Sequence, residues 1–455
     1  MSHDNARFVK GSILKHVVSM TSMSSVGLMA IFFVDFVDIY FLSLLGEVEI
    51  AASVGYAGSI LFVTTALCIG LSIGVGALTA RAVGAEQEED AKRYFIHCLI
   101  ISSITTIAVS MVVYLVKDPL LSLVGAKGLA KELGHIYLDI MLLSVPIIAC
   151  AMLCMATLRA YAEGGLSMTS TLIGGFVNAV LDPILIFGFD LDVAGAAWAS
   201  LISRAAVLIS ALIPLQRKYK VLRKPDWTLF IDDGKAFIHI ASSAILTNLA
   251  SPVGQAYITT QMAVYGDQAV AGMSIINRLT TLAFVVNFAG SGAIGPIVGQ
   301  NFGAKKWNRL QEVIMDSSTF LAVYSLLVCI ALYWSGSFLA EAFKLEGPAS
   351  QLLLFFCNGI CLFNFFDGII FYVNASFNNT NRAAFATVVN FSKVGLGFIP
   401  LVALGSYLWG AKGVIVGQGM AMVGTALGAV LWYRSYLRSL ALKSDTSKVA
   451  LSTPE

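Results

Sequence analysis

The sequence predicts an all-α membrane protein with twelve transmembrane helices in two pseudo-symmetric six-helix bundles around a central cavity. Three observations predict it. Of 455 residues, 57% are hydrophobic and 12% charged, whereas a soluble domain carries about 25% charged residues; mean hydropathy is +0.81. Apolar stretches long enough to cross a bilayer recur along the whole chain. Finally, short signatures in the first half return in the second at a nearly constant offset.

Hydropathy and breakers place the spans at roughly 13–45, 50–80, 92–116, 133–158, 163–189, 194–215, 236–265, 268–300, 309–335, 349–374, 382–407 and 412–437. Several exceed a bilayer thickness and should tilt, bend or project from the membrane. Pro146, Pro183, Pro214, Pro252, Pro296 and Pro400 fall within or at the ends of spans, where each removes a backbone bond that neighbours must replace. Of the 29 Lys and Arg, 21 lie in the termini and even-numbered loops, 5 in the opposite loops and 3 (Arg204, Arg278, Lys393) within spans. By the positive-inside rule both termini are then cytoplasmic, in a multi-pass protein of the cell (inner) membrane. The N-terminus, MSHDNARFVK, leads straight into a full span without a small-residue cleavage pattern, so no removable signal peptide is expected.

The repeat is carried by three regions. Gly76, Gly84 and Ala85 after span two match Gly295, Gly303 and Ala304 after span eight at an offset of 219. Gly46 and Ala51 match Gly266 and Ala271 at 220, and Pro183 and Gly195 match Pro400 and Gly413 at 217 and 218. Six helices per half is an even number, so the halves should be related by an axis along the membrane normal. The expected organisation is an N-terminal bundle over 1–215, a basic cytoplasmic linker over 216–235 (QRKYKVLRKPDWTLFIDDGK) and a C-terminal bundle over 236–455 with a short cytoplasmic tail.

The first span poses the chemical question. Val26 to Leu45 is an apolar run interrupted by Asp35 and Asp38, and a carboxylate at mid-bilayer costs ~2.5–3.5 kcal/mol on insertion scales, so it needs a cavity, a partner or a proton. A second polar notch stands in span five. Asn178 and Asp182 are i,i+4 on one face, so the amide can donate toward the carboxylate or toward whatever that carboxylate binds. Pro183 leaves the carbonyl of Ala179 free one turn away. Two carboxylates sharing such a pocket resist being charged together, so at least one would take up and release a proton near working pH. Asp38 shares the face of Asp35 at i,i+3, nearer the outer end, and is a second candidate for the same vestibule.

Nearly the whole chain, from about residue 10 to 438, resembles the multidrug and toxic compound extrusion (MATE) family. The resemblance rests on the first-span aspartate, the glycine-rich exits of spans two and eight, Leu158-Arg159-Ala160 after span four, and Asn178-Ala-Val-Leu-Asp182-Pro183-Ile-Leu-Ile-Phe-Gly188, which looks like the DinF-like prokaryotic branch. It implies a polar cluster in the N-terminal half built from Asp35, Asn178 and Asp182, with Tyr137 and Ser200 as hydroxyl-bearing members. Two departures stand out. Gln255 occupies the place symmetry-related to Asp35, with no acid in the core of span seven, and span four has apolar Ala151-Met152-Leu153 where relatives often place an asparagine.

The expected function is therefore a secondary multidrug efflux transporter, exchanging amphipathic, often cationic, drugs for protons by alternating access. Asp35 is the principal coupling carboxylate, and Asn178 and Asp182 are its partners. Na⁺ coupling in the same fold is the close rival, since Asp35, Asn178, Asp182 and Ser200 could supply oxygen ligands. A lipid-linked substrate flippase is a further alternative, for which a more cationic cavity would be expected. An enzyme is disfavoured: the sequence has neither a His/Asp metal cluster nor a Ser/Lys nucleophile context, and it lacks a GxxxxGK[ST] loop, which also argues against ATP drive. In the second half, Asp367 and Lys393 in adjacent spans read as mutual neutralisation in preference to a second ion site. No cofactor is expected beyond the ion gradient. The expected partners are drugs, H⁺ or Na⁺ and the bilayer; a net charge of +2 does not suggest nucleic acid, and a monomer is expected. The i,i+4 cysteine pairs Cys150/Cys154 and Cys357/Cys361 read as packing residues in preference to a metal site.

Overall fold

The computed structural model describes the backbone of residues 6–43 and 48–451, and the side chains within them except at 35, 39, 40, 42, 43, 48, 51 and 443–451. The described residues are almost entirely helical. The first half holds α1 (Ile13–Ser43), α2 (Val48–Gly84), α3 (Glu88–Leu115), the short α4 (Lys117–Leu123), α5 (Gly128–Ala160), α6 (Gly164–Pro183) and α7 (Asp192–Tyr219). The second holds α8 (Phe230–Ala263), α9 (Asp267–Ala283), α10 (Val285–Gly303), α11 (Trp307–Ala342), α12 (Gly347–Cys357), α13 (Asn364–Asn379), α14 (Ala383–Ser392) and α15 (Ile399–Leu451).

Ten helical stretches are long and apolar enough to cross a membrane, and α9 with α10 forms one further span bent by 43°. The last of the ten, Ala383–Leu442, is interrupted at Trp409 and Gly410, which leave the helical region, and so makes two spans. Twelve crossings result. The sequence reading missed the breaks inside spans eight and ten. Span eight divides at Phe284, and span ten divides at Asn358–Gly359 before a 3₁₀ turn, Ile360–Phe363, with Gly359 at φ 128°. Spans five and eleven each contain a π-helical turn, at Ile184–Gly188 and Lys393–Phe398; such turns carry one surplus residue and loosen the backbone ladder.

The chain forms two compact units, one of residues 23–245 and one of residues 7–22 with 246–455. Helices α1 and α8 are thus each shared between units. In the first unit α2, α5 and α7 form the centre, with Leu138, Met141 and Val145 of α5 buried among Ala57, Cys68 and Ala197. Close approach is set by small residues: Gly195 at the start of span six has the Leu185 carbonyl 2.8 Å from where a Cβ would sit. Its repeat mate Gly413 lies directly against the backbone of Gly405 in the second unit. At this pair the glycine match seen in sequence is therefore a packing requirement, set against backbone in both halves.

An ionic clip ties the linker to α3. Buried His97 bonds Asp233 Oδ2 through Nδ1 at 2.8 Å and accepts the Asp226 backbone N–H at Nε2, while Arg93 Nε donates to the same Asp233 oxygen at 2.9 Å. On the other side of the membrane, Lys131 and His135 pair with Asp118 of α4 and hold its carboxyl below the usual carboxylate range, and Lys117 pairs with Asp139.

In the second unit a 3₁₀ turn, Arg7–Val9, docks on the end of α10 and the start of α11. Phe8 N–H donates to Gln300 Oε1 at 2.9 Å, Asn301 Nδ2 donates to Phe8 O at 3.1 Å and Lys306 Nζ to Val9 O at 2.9 Å. Arg309 donates to the carbonyls of Phe8 and Gly11. Charge-assisted bonds of this kind each contribute ~1.5–3 kcal/mol. Arg309→Ala is accordingly expected to raise amide exchange over residues 8–11 by at least about tenfold, read by hydrogen–deuterium exchange mass spectrometry. Unchanged protection would show that Gln300, Asn301 and Lys306 hold the turn without it.

Candidate functional site

Helix α6 carries adjacent glycines that let it approach neighbours on two sides. A Cβ on Gly174 would overlap Val207 of α7, and one on Gly175 would stand 3.0 Å from Val34 of α1. The packing brings polar residues of three helices together one to two turns further along. Asn178 Nδ2 donates to Asp38 Oδ1 at 3.3 Å, and Ser203 Oγ donates to Asn178 Oδ1 at 3.4 Å. Asn178 thereby bridges α1 and α7.

Asp182, one turn beyond Asn178, is fully buried. Its carboxyl lies within electrostatic reach of Asp38 and Asn178, yet neither of its oxygens meets the geometry of a hydrogen bond with any described residue. The π turn begins two residues later. An unpaired buried carboxylate is costly, so a group placed as Asp182 is needs a proton or a partner to neutralise it.

The other expected residues distribute as follows. The Asp35 side chain lies outside the described residues; its backbone sits in α1, three residues before Asp38. Tyr137 packs beside Phe41 and Val54 against the cluster of Ile50, Ile186 and Val193, next to the π turn. Ser200 is buried, and its carbonyl accepts the Ser203 hydroxyl at 2.9 Å. Ser203, which the sequence reading did not single out, reaches Asn178; its signal was a second hydroxyl at i,i+3 from Ser200 on the same helix face. Arg204, the next residue, donates to Ser144 of α5 at 2.6 Å.

In the second unit Lys393, at the first position of its π turn, donates to Asp367 Oδ1 at 3.0 Å. Its ammonium lies over the rings of Phe371 and Phe398. The pair is largely buried, the side chains being 7% and 20% exposed. Gln255 has its Nε2 buried with no hydrogen-bond partner among the described residues. Lys393→Met would strand the Asp367 carboxylate and is expected to cost about 2–3 kcal/mol; the double variant Asp367→Asn/Lys393→Met should recover most of it. Thermal unfolding of Lys393→Met, Asp367→Asn and the double variant in detergent checks this, and a loss in the double variant equal to the sum of the two single losses would show the pair to be uncoupled.

Two six-helix halves, twelve crossings and a buried polar cluster within one half are the architecture of a membrane transporter. The MatE family model matches the chain twice, over residues 24–184 and 243–403, two segments that begin 219 residues apart, the offset of the glycine motifs. The chain belongs to this family. It is 26% identical to a FAD transporter of Shewanella oneidensis over 453 residues, covering 98% of this chain and 99% of that one. It is 25% identical to the multidrug export protein MepA of Staphylococcus aureus over 455 residues, covering 97% and 98%. The Vibrio cholerae MATE transporter VcmN in its bent form superimposes with a TM-score of 0.89 at 26% identity, covering 94% of this chain and 98% of VcmN.

Proposed function

We propose that the protein is a proton-coupled exporter of amphipathic, often cationic, drugs. The observation that carries the reading is Asp182: a fully buried carboxyl, with neither oxygen in hydrogen-bond geometry to a described residue, beside a second carboxyl and a bridging amide. Neutralising it takes one small cation, and a proton is the least demanding since it needs no coordination shell. Asp35 and Asp38 on α1 and Asp182 on α6 are the coupling carboxylates, Asn178 holds α1 to α6, and Ser200, Ser203 and Tyr137 line the approach. Because the π turn follows directly after Pro183, a change of charge at Asp182 acts at the most deformable point of span five. The multidrug export activity of MepA supports the substrate class, and the cell membrane with both termini cytoplasmic is the setting that the loop charges support.

Na⁺ coupling is the rival, as the same oxygens are hard ligands. Flavin export is a second reading, favoured by similarity to the Shewanella FAD transporter over the full length. A dinucleotide carries a diphosphate, for which Arg278 of α9, exposed and without an ion pair among the described residues, is the candidate base. Inverted membrane vesicles separate the readings. With ΔpH and Na⁺ gradients imposed separately, cationic dye should accumulate under ΔpH alone. Accumulation under Na⁺ alone would establish the rival, and FAD uptake without dye uptake would establish the flavin reading.

A further inference from the structure

Spans eleven and twelve do not close against each other along their whole length. Between α14 with its π turn and the part of α15 beyond Gly410 runs a groove of about 390 Å³, whose walls include Val389, Leu396, Leu401, Gly424, Gly428 and Trp432. Its origin is local: a Cβ on Gly424 or Gly428 would meet nothing within 4 Å, and the π turn leaves Leu396 78% exposed. Leu427 and Leu431 beside it are exposed as well. On a membrane-spanning surface such residues face acyl chains. From Val389 to Leu401 the groove runs about 18 Å, close to the ~15 Å hydrocarbon depth of one leaflet.

One end of the groove is chemically distinct. Trp432 stacks on Phe385 with ring centroids 4.3 Å apart. The Arg382 guanidinium sits 5.4 Å from the Phe385 centroid and 5.6 Å from that of Tyr436. Arg382 is exposed and forms no ion pair with any described residue. A tryptophan at the rim of a span marks the headgroup level, and a guanidinium held there by two rings presents its fork to a phosphate.

We propose that this is a binding site for an anionic phospholipid, one acyl chain lying in the groove and the phosphodiester on Arg382, in the leaflet on the side of the C-terminal end. The apolar walls accept any chain; the selectivity for negative charge comes from Arg382, which has no carboxylate of its own to satisfy it.

Native mass spectrometry of the purified protein with phosphatidylglycerol or phosphatidylcholine of matched chains tests this. Wild type should retain phosphatidylglycerol to higher collision energy than phosphatidylcholine, and Arg382→Ala should lower that retention about fivefold, to the phosphatidylcholine level. Gly428→Leu, which fills open space and should not disturb folding, should remove the tightly held lipid altogether, with unchanged thermal unfolding in lipid-free detergent as the fold control. Equal retention of the two lipids by wild type, or undiminished phosphatidylglycerol on Arg382→Ala, overturns the proposal. So does a protein dimer that Gly428→Leu dissociates, which would make a second copy of the chain the occupant.

Discussion

Asn in place of Asp182 is expected to abolish gradient-driven export while leaving the protein folded. The substitution is isosteric, and it replaces a buried carboxyl set beside that of Asp38 with a neutral amide, so the thermal midpoint should hold or rise. Export is another matter. Moving a two-state carrier from 1:99 to 99:1 requires a ligand that prefers one state by about 10⁴-fold, and an amide offers the proton nothing. Transport under ΔpH should fall by about two orders of magnitude, while drug binding to detergent-solubilised protein stays near wild type. Asp38→Asn should do less, because its side-chain oxygen can still accept the Asn178 amide. Asp182→Asn vesicles that pump at more than half the wild-type rate would remove Asp182 from the coupling step and leave Asp35 and Asp38 to carry it.

The second large effect is structural. A side chain on Gly413 would occupy the same space as the Gly405 backbone, and backbone cannot step aside as a flexible side chain can. Gly413→Leu is expected to cost more than ~3 kcal/mol, enough to keep the protein from accumulating in the membrane. Gly195→Leu, whose Cβ would stand 2.8 Å from the Leu185 carbonyl, should be harmful in the same direction. Gly424→Ala, with open space around it, is the matched control and should be neutral. Fluorescence-detected size exclusion of tagged variants reads all three, and normal yield of Gly413→Leu would mean that spans eleven and twelve can part without loss.

These two cases mark what sequence can and cannot disclose. Spans were legible because twenty apolar residues have few other uses, and the duplication because small residues recur at matched places in both halves, one pair of them, Gly195 and Gly413, set against backbone. Breaks at Phe284 and Asn358–Gly359 were not, since an isolated Gly or Phe in an apolar run gives no sign of which way the chain turns. The two π turns were equally silent: one residue too many in a helix leaves no compositional trace. At the polar site, periodicity placed Asp35 and Asp38 on a common face without ranking them, and only packing distances show Asp38 meeting Asn178. Ser203 was overlooked for the nearby Ser200 for the same reason. The His97–Asp233 clip joins residues 136 apart, and no local pattern announces such a pair.

The docked N-terminal turn bears on how the chain is made. Phe8 and its acceptor Gln300 are 292 positions apart, so at about 5–20 residues per second the ribosome delivers the receptor roughly 15–60 s after the segment it receives. Throughout that interval the leading end waits without its partners, and it engages only when two thirds of the polypeptide has been inserted.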